Sequence, residues 1–379
     1  MNIIFQYYKG SGGALINIKH LLEAVIHQNP KWNFVIVCSN DSVLNEISSP
    51  FSNVRFEHIK QFKLPAEINR LYYFIVQLKQ VVDKYSADIV WSMNVGPYLN
   101  TSAYHVLSLN NAFQVCDENL LSIHPSGLFR VKMLRYFFKI SMKYTDLTIL
   151  QTKFMEDMVK INYPNTHTLV AKKSVGITTG SYFCDNNIID QIDKDNFNIV
   201  YIATDYSYKR HLLLLQTFNM FSNEIPNLKL ILTLTYEQCF KIDPILTQEL
   251  IDKNILICLG WVKPNELEMI YAKSKIAIMP SLIESLSSSH IEAMFWGVPQ
   301  ITSNLPYAKD LCKKAAFYID DHASPEAWKK GLIYLYQNPN VRADLIQEGY
   351  NEAQNFPKNW DTAAKVISHE FSNVYKDKY

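Results

Sequence analysis

Pro280-Ser281-Leu282-Ile283-Glu284-Ser285-Leu286-Ser287-Ser288-Ser289-His290-Ile291-Glu292-Ala293-Met294-Phe295-Trp296-Gly297-Val298-Pro299 is the run on which the reading of this chain turns. Ile276–Met279, apolar and strand-length, leads straight into it. A short loop carries Glu284, a run of serines opens a helix read over Ile291–Trp296, and Glu292 falls in its first turns. Loops at the carboxyl ends of parallel strands are where open α/β sheets bind ligands. The first turn of a helix offers unpaired N–H groups and the positive end of the macrodipole, which suits a phosphate. Ser287, Ser288 and Ser289 are small, so backbone can approach a ligand, and their hydroxyls can cap or donate. Two carboxylates beside an anion site would repel phosphate, so they need another purpose, and vicinal sugar hydroxyls are natural donors to them. A ligand with a phosphate centre and a sugar at each end, a nucleotide sugar, accounts for all three features. The plainer alternative is a strand–loop–helix with an exposed Glu284 and a surface Glu292.

Outward from this run, short apolar stretches alternate with helical patterns. Asn2–Tyr8, Asn33–Ser39 and Asp88–Met93 read as strands; 14–27, with Leu15, Ile18, Leu22 and Val25 at helical spacing, and Leu71–Tyr85 read as helices. The pattern weakens over 162–196, then restarts with strands at Phe197–Ala203, Leu228–Leu234, Ile255–Leu259 and Ile276–Met279. Strand–helix alternation of this kind predicts parallel sheets covered on both faces. Two such arrays imply two doubly wound domains facing a cleft, 1–180 and 181–358, with 359–379 a C-terminal helix packing back on the first.

The 379 residues are 48% hydrophobic and 19% charged, which excludes wholesale disorder. A net charge of +1 argues against a general polyanion binder, and no nucleic-acid partner is expected. Six cysteines are scattered without a CxxC pair, which fits a reducing compartment better than a disulfide scaffold or a zinc site. The start lacks signal-peptide features and no segment reads as a transmembrane helix, so a cytoplasmic location is expected.

Within 124–144 the charges are all basic: Arg130, Lys132, Arg135, Lys139 and Lys143, interleaved with Leu128, Phe129, Tyr136 and Phe137. This reads as an amphipathic helix. Either it packs on the core with a solvated basic face, or Arg130, Lys132, Arg135 and Lys139 meet an anionic membrane on its inner side.

Lys9-Gly10-Ser11-Gly12-Gly13-Ala14 joins the first strand to the first helix. A dinucleotide fingerprint would need glycine where Leu15 stands, and a Walker loop would need Gly-Lys-Ser/Thr, so nicotinamide and ATP readings fall. Asp193-Lys194-Asp195 precedes its strand and is not expected to hold a metal.

The Glu284-x7-Glu292 pair in this setting, with Ile301–Pro306 and Ala315–Asp320 downstream, resembles the retaining glycosyltransferases of family 4, of the polysaccharide-biosynthesis type, which have the GT-B fold of two Rossmann-like domains. The resemblance is good over 196–356 and loose over 1–160. It implies that Glu284 contacts the donor sugar, that Glu292 binds ribose hydroxyls, and that backbone at Leu286–Ser288 lies near sugar and diphosphate. Lys209 matches the family's diphosphate-binding lysine. The arginine five residues earlier is replaced by Thr204, with Arg210 a substitute at a different position. Gly12 and Gly13 resemble the family's glycine loop near phosphate. The family histidine of the first domain is absent; Asn110 and Asn111 occupy the region and are the acceptor-side candidates. The implied activity is metal-independent and cofactor-free transfer from a nucleotide-diphosphate sugar to a glycan hydroxyl. If the basic helix meets membrane, the acceptor is a polyprenyl-diphosphate-linked glycan. The alternative is a nucleotide-sugar-binding protein without transfer.

Overall fold

The computed structural model describes residues 1–8, 13–47, 49–50, 52–63, 66–96, 98, 101–172 and 189–378. They form two compact units, one of residues 1–121, 128–176 and 357–379, the other of 122–127 and 177–356. The expected boundary near residue 180 falls outside the described residues.

In the first unit, β1 (Asn2–Gln6), β2 (Asn33–Cys38), β3 (Val54–His58), β4 (Ile89–Met93), β5 (Tyr104–Ser108), β6 (Leu147–Leu150) and β7 (Thr168–Val170) form one parallel sheet in the order β3-β2-β1-β4-β5-β6-β7. The pleat sends Ile3 and Phe5 to one face and Ile4 to the other, and both faces are buried, which is why central strands such as β1 and β4 are apolar without alternation. Helix Asp361–Lys378 places Ala363, Ala364, Ile367 and Phe371 on the first of these faces, where Phe371 meets Trp91 edge-on at 5.5 Å. On the other face, helix Ala66–Tyr72 continues through a π-type turn, Tyr73–Gln77, into helix Leu78–Tyr85.

In the second unit, β8 (Phe197–Tyr201), β9 (Leu228–Leu232), β10 (Leu256–Cys258), β11 (Ile276–Met279), β12 (Gln300–Ser303) and β13 (Ala316–Ile319) are also parallel, in the order β10-β9-β8-β11-β12-β13. Ile199 pairs with Ile276 and Val200 with Ala277, so β8 and β11 lie side by side. The chain winds one way from β8 and the other way from β11. That reversal leaves a crevice beyond their carboxyl ends. In the first sheet the same reversal falls between β1 and β4.

The helix of the opening motif runs over Ser288–Phe295, three residues earlier than its apolar periodicity suggests. Ser287 takes the extended N-cap conformation, so serines fill the cap and first turn, where their weak helix propensity costs least. Trp296 follows, and Gly297, at φ +70°, turns the chain toward β12.

Candidate active site

The loops after β8 and β11 bring the two halves of the motif together. Lys209 Nζ donates to Glu284 Oε1 at 2.5 Å, with 14% and 11% of the two side chains exposed. Buried Tyr201, last residue of β8, aligns the loops. Its hydroxyl lies 3.1 Å from the Lys209 carbonyl, which can only accept, and 2.9 Å from Ser281 Oγ. Leu282 N–H donates to the Tyr208 carbonyl (2.9 Å), and Tyr307 Oη to the Ser281 carbonyl (2.7 Å). The Lys209 ammonium also stands 5.5 Å from the centre of the Tyr208 ring.

Arg210 follows in the left-handed conformation, φ 60°. Its guanidinium donates to the His322 carbonyl at 2.5 Å, so it braces the loop after β13 and is not delivered to the Lys209–Glu284 pair. Thr204, exposed and uncharged, supplies no cation where the resemblance places an arginine.

Glu292 is buried, and Tyr271 Oη donates to its Oε2 at 3.2 Å. Burial pushes this carboxyl up to about 7, while the tyrosine hydrogen bond pulls it back. The same hydroxyl lies 3.2 Å from the Ser289 carbonyl, tying Glu292 to the helix start. Glu292 is therefore held in a poor solvent for its charge.

The serines differ in what they can offer. Ser289 Oγ donates to the Ile202 carbonyl (2.8 Å), which anchors the helix start to β8. Ser287 Oγ lies 2.7 Å from His290 Nδ1, and His290 Nε2 lies 2.9 Å from Thr302 Oγ1, which donates to the Met279 carbonyl at 3.0 Å. Burial, then the Lys209 charge, pushes His290 down to about 3, so the ring is neutral and carries one proton. With the Thr302 proton on Met279, that proton sits on Nε2, and Ser287 donates to Nδ1. Thus Ser287 and Ser289 spend their hydroxyl protons inside the protein. What this helix start offers an anion is the backbone N–H of its first turn. Leu286 and Ser288 are half-buried at this turn.

In the first unit, Asn110 accepts from Gln151 Nε2, and Asn111 Oδ1 caps the turn 112–114 by accepting from Phe113 N–H (3.0 Å). Asn110 thus ties the loop after β5 to the end of β6, while Asn111 serves its own turn. Gly13 opens helix Gly13–Gln28, and Gly12 lies outside the described residues. On helix Leu128–Ser141, Arg130, Lys132 and Lys139 are exposed, whereas Arg135 turns inward and donates to the Cys116 carbonyl at 2.8 Å. Arg135 therefore leaves the basic face assigned to it. Tyr201, Tyr271 and Tyr307 organise the site with Ser281 of the opening run, yet no local pattern marks these three tyrosines.

Residues 186–352 match the family model described as Glycosyl transferases group 1. A search of curated proteins finds no match. Among solved structures, the chain is similar to sucrose-phosphate synthase from Thermosynechococcus elongatus (15% identity, 99% of each chain covered, TM-score 0.74). It is likewise similar to a glycosyltransferase from Rickettsia africae (12%, 99% of each, 0.73) and to Anabaena HepE in complex with UDP-glucose (13%, 100% of each, 0.66). At these identities the likeness is one of fold. Two parallel Rossmann-like sheets make this a GT-B architecture, and residues 186–352 carry a glycosyltransferase group 1 domain.

Proposed function

We propose that this chain is a retaining glycosyltransferase that moves a sugar from a nucleoside-diphosphate sugar to a hydroxyl of a glycan acceptor, in surface polysaccharide assembly. The observation that carries this reading is the Lys209–Glu284 pair at the β8/β11 reversal, beside the Ser288 helix start and buried Glu292. A diphosphate takes Lys209 and the helix-start N–H groups, Glu284 accepts from sugar hydroxyls, and Glu292 accepts from the ribose. The bond from anomeric carbon to phosphate oxygen breaks with its electron pair on that oxygen. The acceptor hydroxyl attacks from the same face, and its proton passes to the departing phosphate. Lys209 stabilises the charge that grows there. This lysine and the helix dipole take the part a divalent cation would otherwise play, so the reaction is proposed to be metal-independent.

The acceptor is proposed to be lipid-linked and the enzyme peripheral on the inner face of a membrane. Among the described residues no helix is long and apolar enough to cross a bilayer. Helix Leu128–Ser141 instead exposes Phe129 (84%) and Tyr136 (63%) among Arg130, Lys132 and Lys139.

The test is a thermal-shift panel of UDP, GDP, ADP and TDP sugars, followed by mass spectrometry of acceptor products with the stabilising donor. A stabilising donor and a product one sugar heavier are expected. Failure of every donor to raise the melting temperature would refute the proposal. Stabilisation without product across acceptors would favour the second reading, a binding protein, which uncharged Thr204 and Asn110 motivate.

A further inference from the structure

β10 is an edge strand of the second sheet, and its last residue, Cys258, meets a second thiol. Cys258 Sγ lies 3.5 Å from Sγ of Cys239, 19 positions earlier on helix Tyr236–Ile242. Both residues are buried in the core of this unit. A disulfide holds its sulfurs about 2.05 Å apart, so the pair stands about 1.5 Å from bonding distance. Among the described cysteines these two alone share a sulfur–sulfur contact.

Their chemistry differs from that of the other thiols. Burial pushes Cys38, Cys116 and Cys312 up, which keeps them protonated and inert. The hydrogen bond from Cys258 instead pulls the Cys239 thiol down, against the opposing effect of burial. A thiol readier to ionise, with a second thiol at contact distance, is the arrangement of an attacking and a resolving cysteine. The way in is short. Cys258 ends an edge strand, the helix has seven residues, and its Tyr236 and Phe240 are exposed. Peroxide is scarcely larger than water, and a short helix on a sheet edge opens at low cost. This helix is also tied to the loop that follows β10. Thr235, its N-cap, lies beside Gly260, where a Cβ would stand 3.5 Å from Thr235 Cγ2, and Gly260 N–H donates to the Leu234 carbonyl at 2.9 Å. The loop carries the exposed Trp261 and leaves β10 at the carboxyl end of the sheet, the end at which Lys209 and Glu284 stand.

We propose that Cys239 and Cys258 are a reversible oxidation site: hydrogen peroxide converts the dithiol to a disulfide, which draws helix Tyr236–Ile242 onto β10 and shifts the loop 259–262. The Cys239 thiolate attacks one peroxide oxygen, the O–O bond breaks, and the leaving hydroxide takes up the proton Cys239 released, giving water and a sulfenic acid. The Cys258 sulfur then attacks the Cys239 sulfur, the S–O bond breaks, and the hydroxide leaves with the Cys258 proton as a second water. The two sulfurs lose two electrons and the peroxide gains them. A dithiol reductant reverses the step by exchange. Under the transferase reading the displaced loop lowers donor affinity; that consequence rests on the reading, and the cross-link does not.

In the test, the full chain is reduced, exposed to hydrogen peroxide, alkylated in urea and mapped by peptide mass spectrometry. The expected product is a Cys239–Cys258 cross-link that dithiothreitol reverses. Cys258→Ser should stop at a Cys239 sulfenic acid, which dimedone traps, whereas Cys239→Ser should leave Cys258 a thiol. Cys239→Ala repeats the second arm if serine unfolds the core, and each melting temperature is checked. Hydrogen exchange across 259–262 should change on oxidation of wild type and stay constant in the Cys239 variants. UDP should bind the reduced chain about fivefold tighter than the oxidised one, or more, as ordinary coupling between sites allows. Failure of UDP to bind either form refutes the donor reading, while mapping and exchange decide the cross-link and the loop separately. The inference is overturned if Cys239 and Cys258 stay alkylatable under peroxide, if either pairs with another cysteine instead, or if the cross-linked chain exchanges 259–262 as the reduced chain does.

Discussion

Lys209 and Glu284, 75 residues apart, neutralise each other at 2.5 Å across the mouths of β8 and β11, with little of either side chain in water. Removing one partner of a buried pair leaves a charge without compensation, which costs about 3 kcal/mol, whereas removing both costs far less. Lys209→Met and Glu284→Gln should each be destabilised in urea, and the double variant should recover most of the loss. Activity should not follow. Lys209→Met should turn over roughly 10²–10³ slower if it stabilises the leaving diphosphate, and the double variant should remain as slow. Turnover regained along with stability would assign the pair a structural role alone.

Glu292 sets stability against binding. Its carboxyl is raised by burial from 4.5 to about 7. The folded state therefore holds the proton more tightly than the unfolded chain, and its contribution is full below 4.5 and lost as pH rises through 7. Glu292→Gln removes this dependence. It should gain about 3 kcal/mol over wild type at pH 8 and about 1 kcal/mol at pH 5. Nucleotide affinity should move oppositely: rising with pH through 7 in wild type, weak and flat in the variant. Chemical denaturation and calorimetry at the two pH values decide it.

His290 has the reverse sign. Burial lowers it from 6.5 to about 3, so the unfolded chain binds the proton first, and its stabilising contribution, complete above 6.5, declines as pH falls toward 3. His290→Ala should cost about 2–4 kcal/mol at pH 7, through the lost ring and the stranded Ser287 and Thr302 hydroxyls. The gap to wild type should narrow by about 2 kcal/mol at pH 5. A gap independent of pH would show that the ring is not held neutral.

Gly297 should resist substitution for two separable reasons. Its φ of +70° disfavours a side chain, and a Cβ there would lie 2.0 Å from the Tyr350 hydroxyl. Gly297→Ala should lose about 2 kcal/mol or more. Adding Tyr350→Ala should return the steric part and leave the backbone part. Equal stability of Gly297→Ala and wild type in urea would contradict both.

The basic helix predicts flotation with anionic liposomes at low salt. Replacing Arg130, Lys132 and Lys139 by glutamine should weaken binding about a hundredfold, at about 1 kcal/mol per charge near the surface. Arg135→Gln should instead lower the melting temperature, because Arg135 bonds the Cys116 carbonyl. Equal flotation of the triple variant would remove the membrane from the proposal.

Local patterns carried much of the architecture. Apolar runs such as Ile276–Met279 are buried on both faces, so they announce a parallel sheet without any partner strand in view. Short strands such as Thr168–Val170, which is only half-buried, give no such signal and emerge only as edge partners of a sheet already formed. Likewise the Glu284-x7-Glu292 pair stands out in the sequence, whereas Lys209 is marked only by the family resemblance.

The sequence by itself determined the two α/β arrays and set the Glu284-x7-Glu292 pair after an apolar strand, because strand burial, helix periodicity and the spacing of charges are local properties of the chain. Only the tertiary structure decided how those residues are used. It joined Lys209 to Glu284 through Tyr201, turned Arg210 to His322, and directed the protons of Ser287 and Ser289 inward. Hydrogen-bond direction and the pairing of buried charges depend on neighbours tens of residues away, and those neighbours exist only once the sheets have formed.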